Sequence, residues 1–324
     1  MPLMKPPRLI EGQTIGFVAP SSAFDDPEDI RAAVEAVESL GFRVKLGQYV
    51  FRRNGYLAGT DGERAADLNA MFADPAVDAI FALRGGYGSS RLLPYLDYAQ
   101  IQKQPKILLG YSDITALLLA IHGQTGLVTF HGPVGNQRFT PYTLAELTKV
   151  LCQPTEPMLV GAPPPFQAQP GIVERVNRVT TIVRGKVQGA LIGGNLTLLT
   201  HLVGTPYAPD LRGKILFLED VGETVYRIDR MLTQLWLSGE LAQVAGIVFG
   251  KFTDCKPTYS SGSSLPLSDV LEERCRTLDI PSVRGLMIGH VDDQTTLPIG
   301  CQVELDAAAG TLTLLELPLT YSQG

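Results

Sequence analysis

Short apolar runs alternate with segments of helical periodicity from residue 14 to residue 151. Strands are predicted at Thr14–Ala19, Phe42–Leu46, Ala79–Leu83, Ile107–Leu109 and Val128–Phe130. The periodic segments predict helices at Pro27–Leu40, Asp61–Phe72 and Thr143–Leu151, with two more that begin near Ser89 and Ile114. Apolar runs are typical of strands buried on both faces, and strands that alternate with helices form parallel sheets. The pattern therefore predicts an α/β domain with a flavodoxin- or Rossmann-like parallel sheet.

The pattern changes after residue 153, where a proline-rich stretch with little periodicity predicts a connector. Beyond it, short β-rich segments predict strands at Thr180–Val183, Lys186–Leu191, Lys214–Leu218 and Gly246–Phe249, and a hairpin of Val303–Leu305 with Thr311–Leu314. Helices are predicted at Asn195–Leu202 and Val225–Ser238. We therefore expect an N-terminal α/β domain over 1–153, a linker over 154–171 and a mixed, β-rich α+β domain over 172–324.

Side-chain patterns within these elements give finer expectations. In the helix at 61–72, Glu63 and Arg64 are expected to point outward. In the helix at 225–238, Trp236 is expected in the core. The serine-rich stretch Thr258–Leu265 predicts a flexible loop.

Two predicted strands end in turns of small residues, and each turn leads into a helix. The first turn is Arg84–Gly88, and the second is Gly110–Asp113. Carboxyl ends of parallel strands meet at one edge of a sheet, and helix N-termini there favour an anion or an oxyanion. Ser112 offers a hydroxyl at this edge. It is either a helix cap, the commoner role of serine before an apolar helix, or a nucleophile on a tight turn.

A nucleophilic serine needs a base and a group that orients the base. Among the four histidines, His131 and His290 both follow apolar runs that predict strands, so position alone does not separate them. The candidate orienting group is Glu219, which follows the apolar run Ile215–Leu218. Its neighbour Asp220 is the competing assignment, because successive side chains in a strand point to opposite faces.

Composition excludes several classes of protein. The net charge of −6 leaves no general basic surface, so no nucleic-acid partner is expected. Four cysteines without a CxxC pair indicate neither a zinc site nor a disulfide framework and suit a reducing compartment. No apolar run is long enough for a membrane span, and the N-terminus lacks the apolar region of a signal peptide. We expect a cytoplasmic protein without a metal, a cofactor or a membrane partner.

Several segments together resemble the LD-carboxypeptidase family of serine peptidases, which includes muramoyltetrapeptide carboxypeptidases and microcin C immunity peptidases. Phe81–Leu93 is similar to its glycine-rich motif, and Gly110–Thr115 is similar to its nucleophile motif. Leu218–Arg230 and Ile288–Gly300 are similar to its glutamate and histidine segments. His131–Pro133 and Gly193–Leu196 also match. The segments follow the order of the family and span nearly the whole chain.

The resemblance implies a catalytic triad of Ser112, Glu219 and His290, assembled across two domains without a metal or cofactor. It therefore favours the nucleophile over the cap, and His290 over His131. The backbone amides of Gly86 and Asp113 are the expected oxyanion hole, because glycine lets the backbone approach the substrate closely. The implied reaction is release of terminal D-alanine from a murein tetrapeptide, by a homodimer.

A carboxypeptidase must also recognise a free carboxylate, and guanidinium groups suit that task. The candidate substrate contacts are Arg84, Tyr87, Arg91, Asn195 and the amides of Ser89 and Ser90. Two other functions remain open. One is an immunity peptidase that cleaves peptidyl or aminoacyl nucleotides, and the other is a non-catalytic two-domain protein whose glycine-rich loop binds a ligand.

Overall fold

A computed structural model describes residues 2–257 and 264–321, so most of the predicted loop Thr258–Leu265 lies outside the described residues. Its strands are β1 (Thr14–Val18), β2 (Arg43–Leu46), β3 (Ala79–Ala82), β4 (Ile107–Gly110), β5 (Thr129–His131), β6 (Met158–Val160), β7 (Thr180–Val183), β8 (Lys186–Asn195), β9 (Ile215–Val221), β10 (Gly246–Thr253), β11 (Ser282–Arg284), β12 (Leu297–Ile299), β13 (Gln302–Asp306) and β14 (Thr311–Leu314). Its α-helices are α1 (Pro27–Glu38), α2 (Asp61–Ala73), α3 (Tyr98–Lys103), α4 (Thr115–Thr125), α5 (Pro141–Leu151), α6 (Leu196–Leu202), α7 (Val225–Leu237) and α8 (Leu267–Thr277).

The first half of the chain builds a six-stranded sheet in the order β12-β5-β4-β3-β1-β2. Strands β1 to β5 are parallel, as the alternation of strands and helices predicts. Their order, 2-1-3-4-5, is that of a flavodoxin-like sheet. The predicted α/β fold is therefore confirmed. In such a sheet the ligand crevice lies beyond the carboxyl ends of the strands, where the order reverses between β1 and β3.

Local signals fix the ends of several helices. Thr60 caps α2 with its hydroxyl while Glu63 bonds back to the Thr60 backbone amide, which is a complete capping box. Asp26 accepts from the Glu28 amide ahead of Pro27 at the start of α1. Gly126, with φ of 79°, ends α4 in the left-handed conformation that glycine adopts at low cost.

The second half builds an eight-stranded mixed sheet in the order β6-β14-β13-β8-β9-β10-β11-β7. Strands β8 to β11 are parallel, and both sides of this parallel centre carry antiparallel strands. The predicted hairpin of β13 and β14 is confirmed. No helix of the described ranges is long and apolar enough to cross a bilayer.

Two strands cross the predicted division of the chain. β6 lies within the predicted linker and pairs with β14 at the edge of the second sheet. β12 comes from the second half and extends the first sheet by pairing antiparallel with β5. The two halves of the chain are therefore joined by strand pairing.

Three detailed predictions are wrong. Arg64 is buried, with 1% of its surface exposed, because its guanidinium donates to carbonyls under two loops. Trp236 is 39% exposed, and the guanidinium of Arg274 lies 4.8 Å from its ring centroid. The apolar run before His290 is a loop rather than a strand, because Gly285 and Gly289, each with φ of 105°, bend the backbone on either side of it.

Candidate active site

The turn after β4 holds Ser112 in a strained conformation. Its φ is 62°, in the left-handed region that non-glycine residues occupy at a cost of about 1–3 kcal/mol. Neither the one-turn 3-10 helix that begins at Ser112 nor α4 has a side-chain capping bond, so the serine does not act as a cap. A Cβ on Gly110 would lie 2.8 Å from Cγ2 of Ile114, so glycine lets the strand turn tightly into the helix. The hydroxyl is thus held by a sharp strand-to-helix turn, the geometry of a nucleophile elbow.

The glycine-rich loop after β3 packs directly on this turn. A Cβ on Gly85 would lie 3.0 Å from Cβ and 3.1 Å from Oγ of Ser112. Gly86 has a φ of 118° and lies against Ser22, whose hydroxyl accepts from the amide of Tyr87. A side chain at 85 would crowd Ser112, and one at 86 would displace Ser22 and strain the backbone. The oxyanion hole of Gly86 and Asp113 remains a prediction, and this packing is compatible with it.

The Asp113 side chain joins three loops at the edge of the sheet. Its Oδ2 accepts from Oγ of Ser21, 2.5 Å away, and from the amide of Ser89, 2.8 Å away. The hydroxyl of Ser89 donates to the Asp113 carbonyl. Asp113 is 1% exposed. These bonds lock the turn that carries Ser112 to the loops that follow β1 and β3.

The buried side chain of Arg64 forms hydrogen bonds to two of these loops. One nitrogen, Nη1, donates to the carbonyls of Pro20 and Gly88, the latter at 2.9 Å. Its other terminal nitrogen donates to Oδ1 of Asp61 at 2.6 Å. Burial lowers the pKa of the guanidinium, and Asp61 opposes that shift. Arg64 therefore links the loop that follows β1 to the loop that follows β3.

His290 and Glu219 form a hydrogen-bonded pair in the second half of the chain. Nδ1 of His290 lies 2.7 Å from Oε2 of Glu219. Glu219 is fully buried on β9, while the His290 side chain is 19% exposed. A Cβ on Gly289 would lie 2.5 Å from Oε2 of Glu219, so glycine at this position makes room for the carboxylate. Thr253 donates to the His290 carbonyl at 2.7 Å and holds the loop.

Tyr111 connects this pair to the serine. Its ring centroid lies 4.8 Å from that of His290, and Tyr111 immediately precedes Ser112 in the chain. Burial raises the pKa of the Tyr111 phenol to about 12. Of the predicted triad, the structure shows the contact between His290 and Glu219, and it places the ring of Tyr111, the neighbour of Ser112, against His290.

Asp220 faces away from the histidine, as strand alternation requires. Its carboxylate accepts from Nδ2 of Asn195 at 3.0 Å and from the amide and hydroxyl of Thr197 at 3.0 and 2.8 Å. Burial raises its pKa. The contact with His290 therefore belongs to Glu219 alone of the two neighbours.

Asn195 is a helix cap in this structure. Its Oδ1 accepts from the amide of Leu198 at the start of α6, and the side chain is 3% exposed. Its Nδ2 is bonded to Asp220. The predicted contact of Asn195 with substrate stays a prediction, while its structural role is visible.

His131 lies in the interior of the protein, away from solvent. The side chain is completely buried at the end of β5, and burial lowers its pKa to about 4. A base for the serine must reach both the hydroxyl and the substrate, and the side chain of His290 is partly exposed to do so. The geometry thus separates two histidines that chain position left equal.

The candidate substrate contacts lie around the glycine-rich loop. Nη1 of Arg84 donates to the Ala23 carbonyl at 2.9 Å, and its guanidinium lies 5.2 Å from the Phe24 ring centroid. Arg91 forms a two-bond pair with Asp61 at 2.8 Å. Tyr87 is 48% exposed. Their roles in binding stay predictions, and both arginines already have partners in the protein.

Sequence reasoning missed three residues that contact the candidate site, and their positions in the sequence do not indicate such a role. They are Asp113, Arg64 and Tyr111. An aspartate after a serine is an ordinary helix start, and an arginine in an amphipathic helix is ordinarily exposed.

A cavity of about 750 Å³, lined in part by Arg178, Lys251 and Arg284, contains none of the three candidate catalytic residues. In the residues that the structure describes, no group of three His, Cys, Asp or Glu side chains is placed to hold a metal ion.

Two family models match the chain. The model of the LD-carboxypeptidase N-terminal domain matches residues 15–132, and that of the C-terminal domain matches residues 188–305. A probable murein peptide carboxypeptidase of Bacillus subtilis is 42% identical over 96% of this chain and 94% of its own. The chain belongs to the LD-carboxypeptidase family. Other proteins to which the chain is similar include a murein tetrapeptide carboxypeptidase of Pseudomonas aeruginosa, which is 35% identical.

Other members are similar over nearly their full length. The microcin C7 self-immunity protein MccF of Escherichia coli is 31% identical over 97% of this chain and 96% of its own. The solved structure of MccF with glutamyl sulfamoyl guanosine has a TM-score of 0.87 at 29% identity, covering 98% of this chain and 100% of that one. The structure of a muramoyltetrapeptide carboxypeptidase from Oxalobacter formigenes has a TM-score of 0.79 at 32% identity, covering 93% and 98%. Both match the two-sheet fold of LD-carboxypeptidases described above.

Proposed function

We propose that the protein is a serine-type LD-carboxypeptidase that releases terminal D-alanine from murein tetrapeptides. The observation that supports this most directly is the 2.7 Å contact between His290 Nδ1 and Glu219 Oε2. The ring of Tyr111 lies 4.8 Å from that of His290, and the next residue, Ser112, is held in a strained turn. Strain of this kind persists where the surrounding structure enforces it, and it is concentrated at functional sites. A hydroxyl, an imidazole and a buried carboxylate in this order are the parts of a nucleophilic triad.

In the proposed acylation step, Nε2 of His290 takes the proton of Ser112 Oγ as that oxygen attacks the scissile carbonyl carbon. Glu219 accepts from Nδ1–H, fixes the tautomer that leaves Nε2 free, and stabilises the imidazolium. The backbone amides of Gly86 and Asp113 hold the oxyanion, and losing one such donor typically costs about 3 kcal/mol of the barrier. When the C–N bond breaks, His290 returns the proton to the departing amine of D-alanine.

In the proposed deacylation step, water replaces the amine. His290 takes a proton from the water as its oxygen attacks the ester carbonyl of the acyl-Ser112 intermediate. The same amides hold the second oxyanion. The ester bond breaks, the proton passes to Ser112 Oγ, and the shortened peptide leaves with a new carboxylate.

Murein tetrapeptide is the favoured substrate because the relative at 42% identity carries the name of a murein peptide carboxypeptidase. A second relative, from Pseudomonas aeruginosa, is a murein tetrapeptide carboxypeptidase at 35% identity. Cleavage of acyl nucleotides is the second candidate, because the MccF structure with a TM-score of 0.87 holds a sulfamoyl nucleoside. We further propose a cytoplasmic homodimer, in keeping with the family resemblance.

The deciding experiment incubates the purified protein with murein tetrapeptide and, separately, with glutamyl sulfamoyl adenosine, and detects products by mass. Release of D-alanine from the first substrate, with little cleavage of the second, supports the proposal. Preferred cleavage of the acyl nucleotide would favour the second candidate. If neither compound is hydrolysed, the result would favour the non-catalytic ligand-binding protein instead.

Covalent labelling tests the serine mechanism independently of substrate. A fluorophosphonate probe is expected to add one label to the wild type, in the peptide that contains Ser112. Ser112→Ala should lose both the label and D-alanine release. Ser238→Ala is the matched control, because that hydroxyl caps the end of α7 by donating to the Leu235 carbonyl. Labelling that persists in Ser112→Ala would contradict the assignment.

A further inference from the structure

A cavity of about 750 Å³ lies at the carboxyl ends of two strands of the second sheet. Gly250 and Lys251 line it from β10, and Arg284 and Gly285 line it at the end of β11. These strands are parallel neighbours. Ligands of parallel α/β sheets bind beyond this end of the strands, and sites for small molecules have volumes of about 300–1,000 Å³. Both the place and the size of the cavity therefore suit a small molecule.

The charged side chains that line this cavity are all cationic. They are Arg175, Arg178, Lys251 and Arg284. No Asp or Glu is among the described residues that line it, although the whole chain has a net charge of −6. Glu174, Asp269 and Glu272 precede or follow lining residues in the chain but do not line the cavity. Because one sign of charge in a concave site attracts the opposite sign, we expect the cavity to attract an anion.

Two of these cations have no acidic partner. The side chains of Arg175 and Arg178 are exposed and form no hydrogen bond or ion pair within the part of the chain that the structure describes. In contrast, Nε of Arg284 donates to Oε1 of Glu272 at 3.0 Å. A phosphate monoester carries a charge of about −1.5 to −2 near neutral pH, so one such group matches both unpaired arginines. A single carboxylate would match only one of them.

Lys251 and the start of α8 provide further donors. Nζ of Lys251 donates to the Val176 carbonyl at 2.9 Å and to Oδ1 of Asn177 at 3.3 Å, which leaves one of its three N–H groups for a ligand. Leu267 and Ser268, the first two residues of α8, also line the cavity, and no side chain of a described residue caps this helix start. Helix N-termini carry a partial positive charge that favours phosphate.

We propose that this cavity binds a phosphorylated organic molecule, whose phosphate is held by Arg175, Arg178 and Lys251 near the start of α8. The cavity is much larger than a phosphate ion, and Val179 and Phe252 line it with apolar surface for the organic part. The site is separate from the candidate triad, since none of the three triad residues lines it. The proposal goes beyond the proposed function and does not depend on it.

Isothermal titration calorimetry of the full chain with inorganic pyrophosphate, in a buffer free of phosphate, tests this site. We expect one binding site in the wild type and a Kd about tenfold or more higher in Arg178→Gln, because a hydrogen bond to a charged group contributes that much. Combining Arg175→Gln with Arg178→Gln should abolish measurable binding. Since neither side chain has a partner in the described part of the chain, both variants should keep the Tm of the wild type.

Arg43→Gln is the matched control, because it removes an exposed arginine of β2 that also forms no ion pair with a described residue. Its Kd should equal that of the wild type. Equal Kd values in Arg178→Gln and the wild type would overturn the proposal. Binding that is lost in Arg84→Gln but kept in Arg178→Gln would place the anion at the glycine-rich loop and overturn it as well. Citrate, which carries only carboxylates, should bind at least about tenfold more weakly, and equal binding would overturn the assignment to phosphate.

Chemical modification locates the anion without any substitution. Phenylglyoxal reacts with exposed guanidinium groups, and mass spectrometry of the peptides reports each arginine separately. Pyrophosphate should protect Arg175 and Arg178 and leave Arg43 as reactive as in the free protein. Protection of Arg84 or Arg91 in their place would refute the site. Neither measurement uses D-alanine release, so failure of the proposed function would leave this test intact.

Discussion

Replacing Glu219 by glutamine removes the charge that the structure places against His290. Nδ1 and Oε2 are 2.7 Å apart and the carboxylate is fully buried. Two unit charges about 4 Å apart interact by about 4 kcal/mol at an effective dielectric constant near 20. That interaction exists only when His290 is protonated, during attack and collapse. We therefore expect kcat to fall about 10³-fold, at 1.36 kcal/mol per factor of ten.

The expected size agrees with the worked case of the serine protease triad, in which the equivalent change costs about 10⁴ in turnover. Glutamine keeps the volume of the side chain, but its amide can present a donor to Nδ1–H and favour the wrong tautomer. The assay is D-alanine release from murein tetrapeptide at saturating concentration. KM should change little, because the charge acts on the transition state.

Asp220→Asn is the matched control for this prediction. Its carboxylate accepts from Asn195 and Thr197 rather than from His290. The substitution should lower stability by about 1–3 kcal/mol, since it disturbs buried hydrogen bonds, and should leave turnover close to that of the wild type. The reasoning is refuted if Asp220→Asn is the slow variant and Glu219→Gln is not.

Two further predictions concern stability. Ser112 has a φ of 62°, so in urea unfolding the Ser112→Gly variant should be about 1 kcal/mol more stable than Ser112→Ala. Both variants should be inactive. Equal free energies of unfolding would show that the backbone at 112 is not strained. The His131 pKa of about 4 lies below its unfolded value near 6.5, so its neutral burial contributes stability above pH 6.5 that is lost as the pH falls toward 4. The wild type should thus lose up to about 3 kcal/mol more than His131→Phe between about pH 7 and 4, and identical losses would contradict the shift.

The parallel sheet was predictable because its central strands β3 and β4 are apolar throughout and because α1, α2 and α5 carry side-chain N-caps. The segments Thr180–Val183 and Thr311–Leu314 form strands with the predicted bounds. In contrast, β6 and β12 have only three residues each, too few to show a period, and pair with partners distant in sequence. Such strands are decided by tertiary contacts that a local pattern does not contain.

Some residues of the candidate site could be predicted from the sequence and others could not. Motif resemblance selected Ser112, Glu219 and His290. The structure shows the contact between Glu219 and His290 and places Tyr111, the neighbour of Ser112, against His290, while the triad as a whole stays a prediction. Chain position alone did not distinguish His131 from His290, because the two differ in burial: His131 is completely buried, whereas the His290 side chain is 19% exposed. The burial of Arg64 could not be predicted from the sequence either. Its partners are the backbone carbonyls of residues 20 and 88, and since every residue has a carbonyl, residue types do not indicate such a contact.

The strand exchange at β12 limits how the enzyme can open. Leu297, Pro298 and Ile299 pair with His131, Phe130 and Thr129, so the segment that follows the His290 loop is an integral part of the first sheet. A hinge that swung the two halves apart would have to break this ladder and expose β5 as a bare edge. The pairing of β12 with β5 therefore opposes a rigid-body separation of the two halves. For the same reason, cutting the chain near residue 153 would not yield two self-sufficient parts, although separate family models describe them.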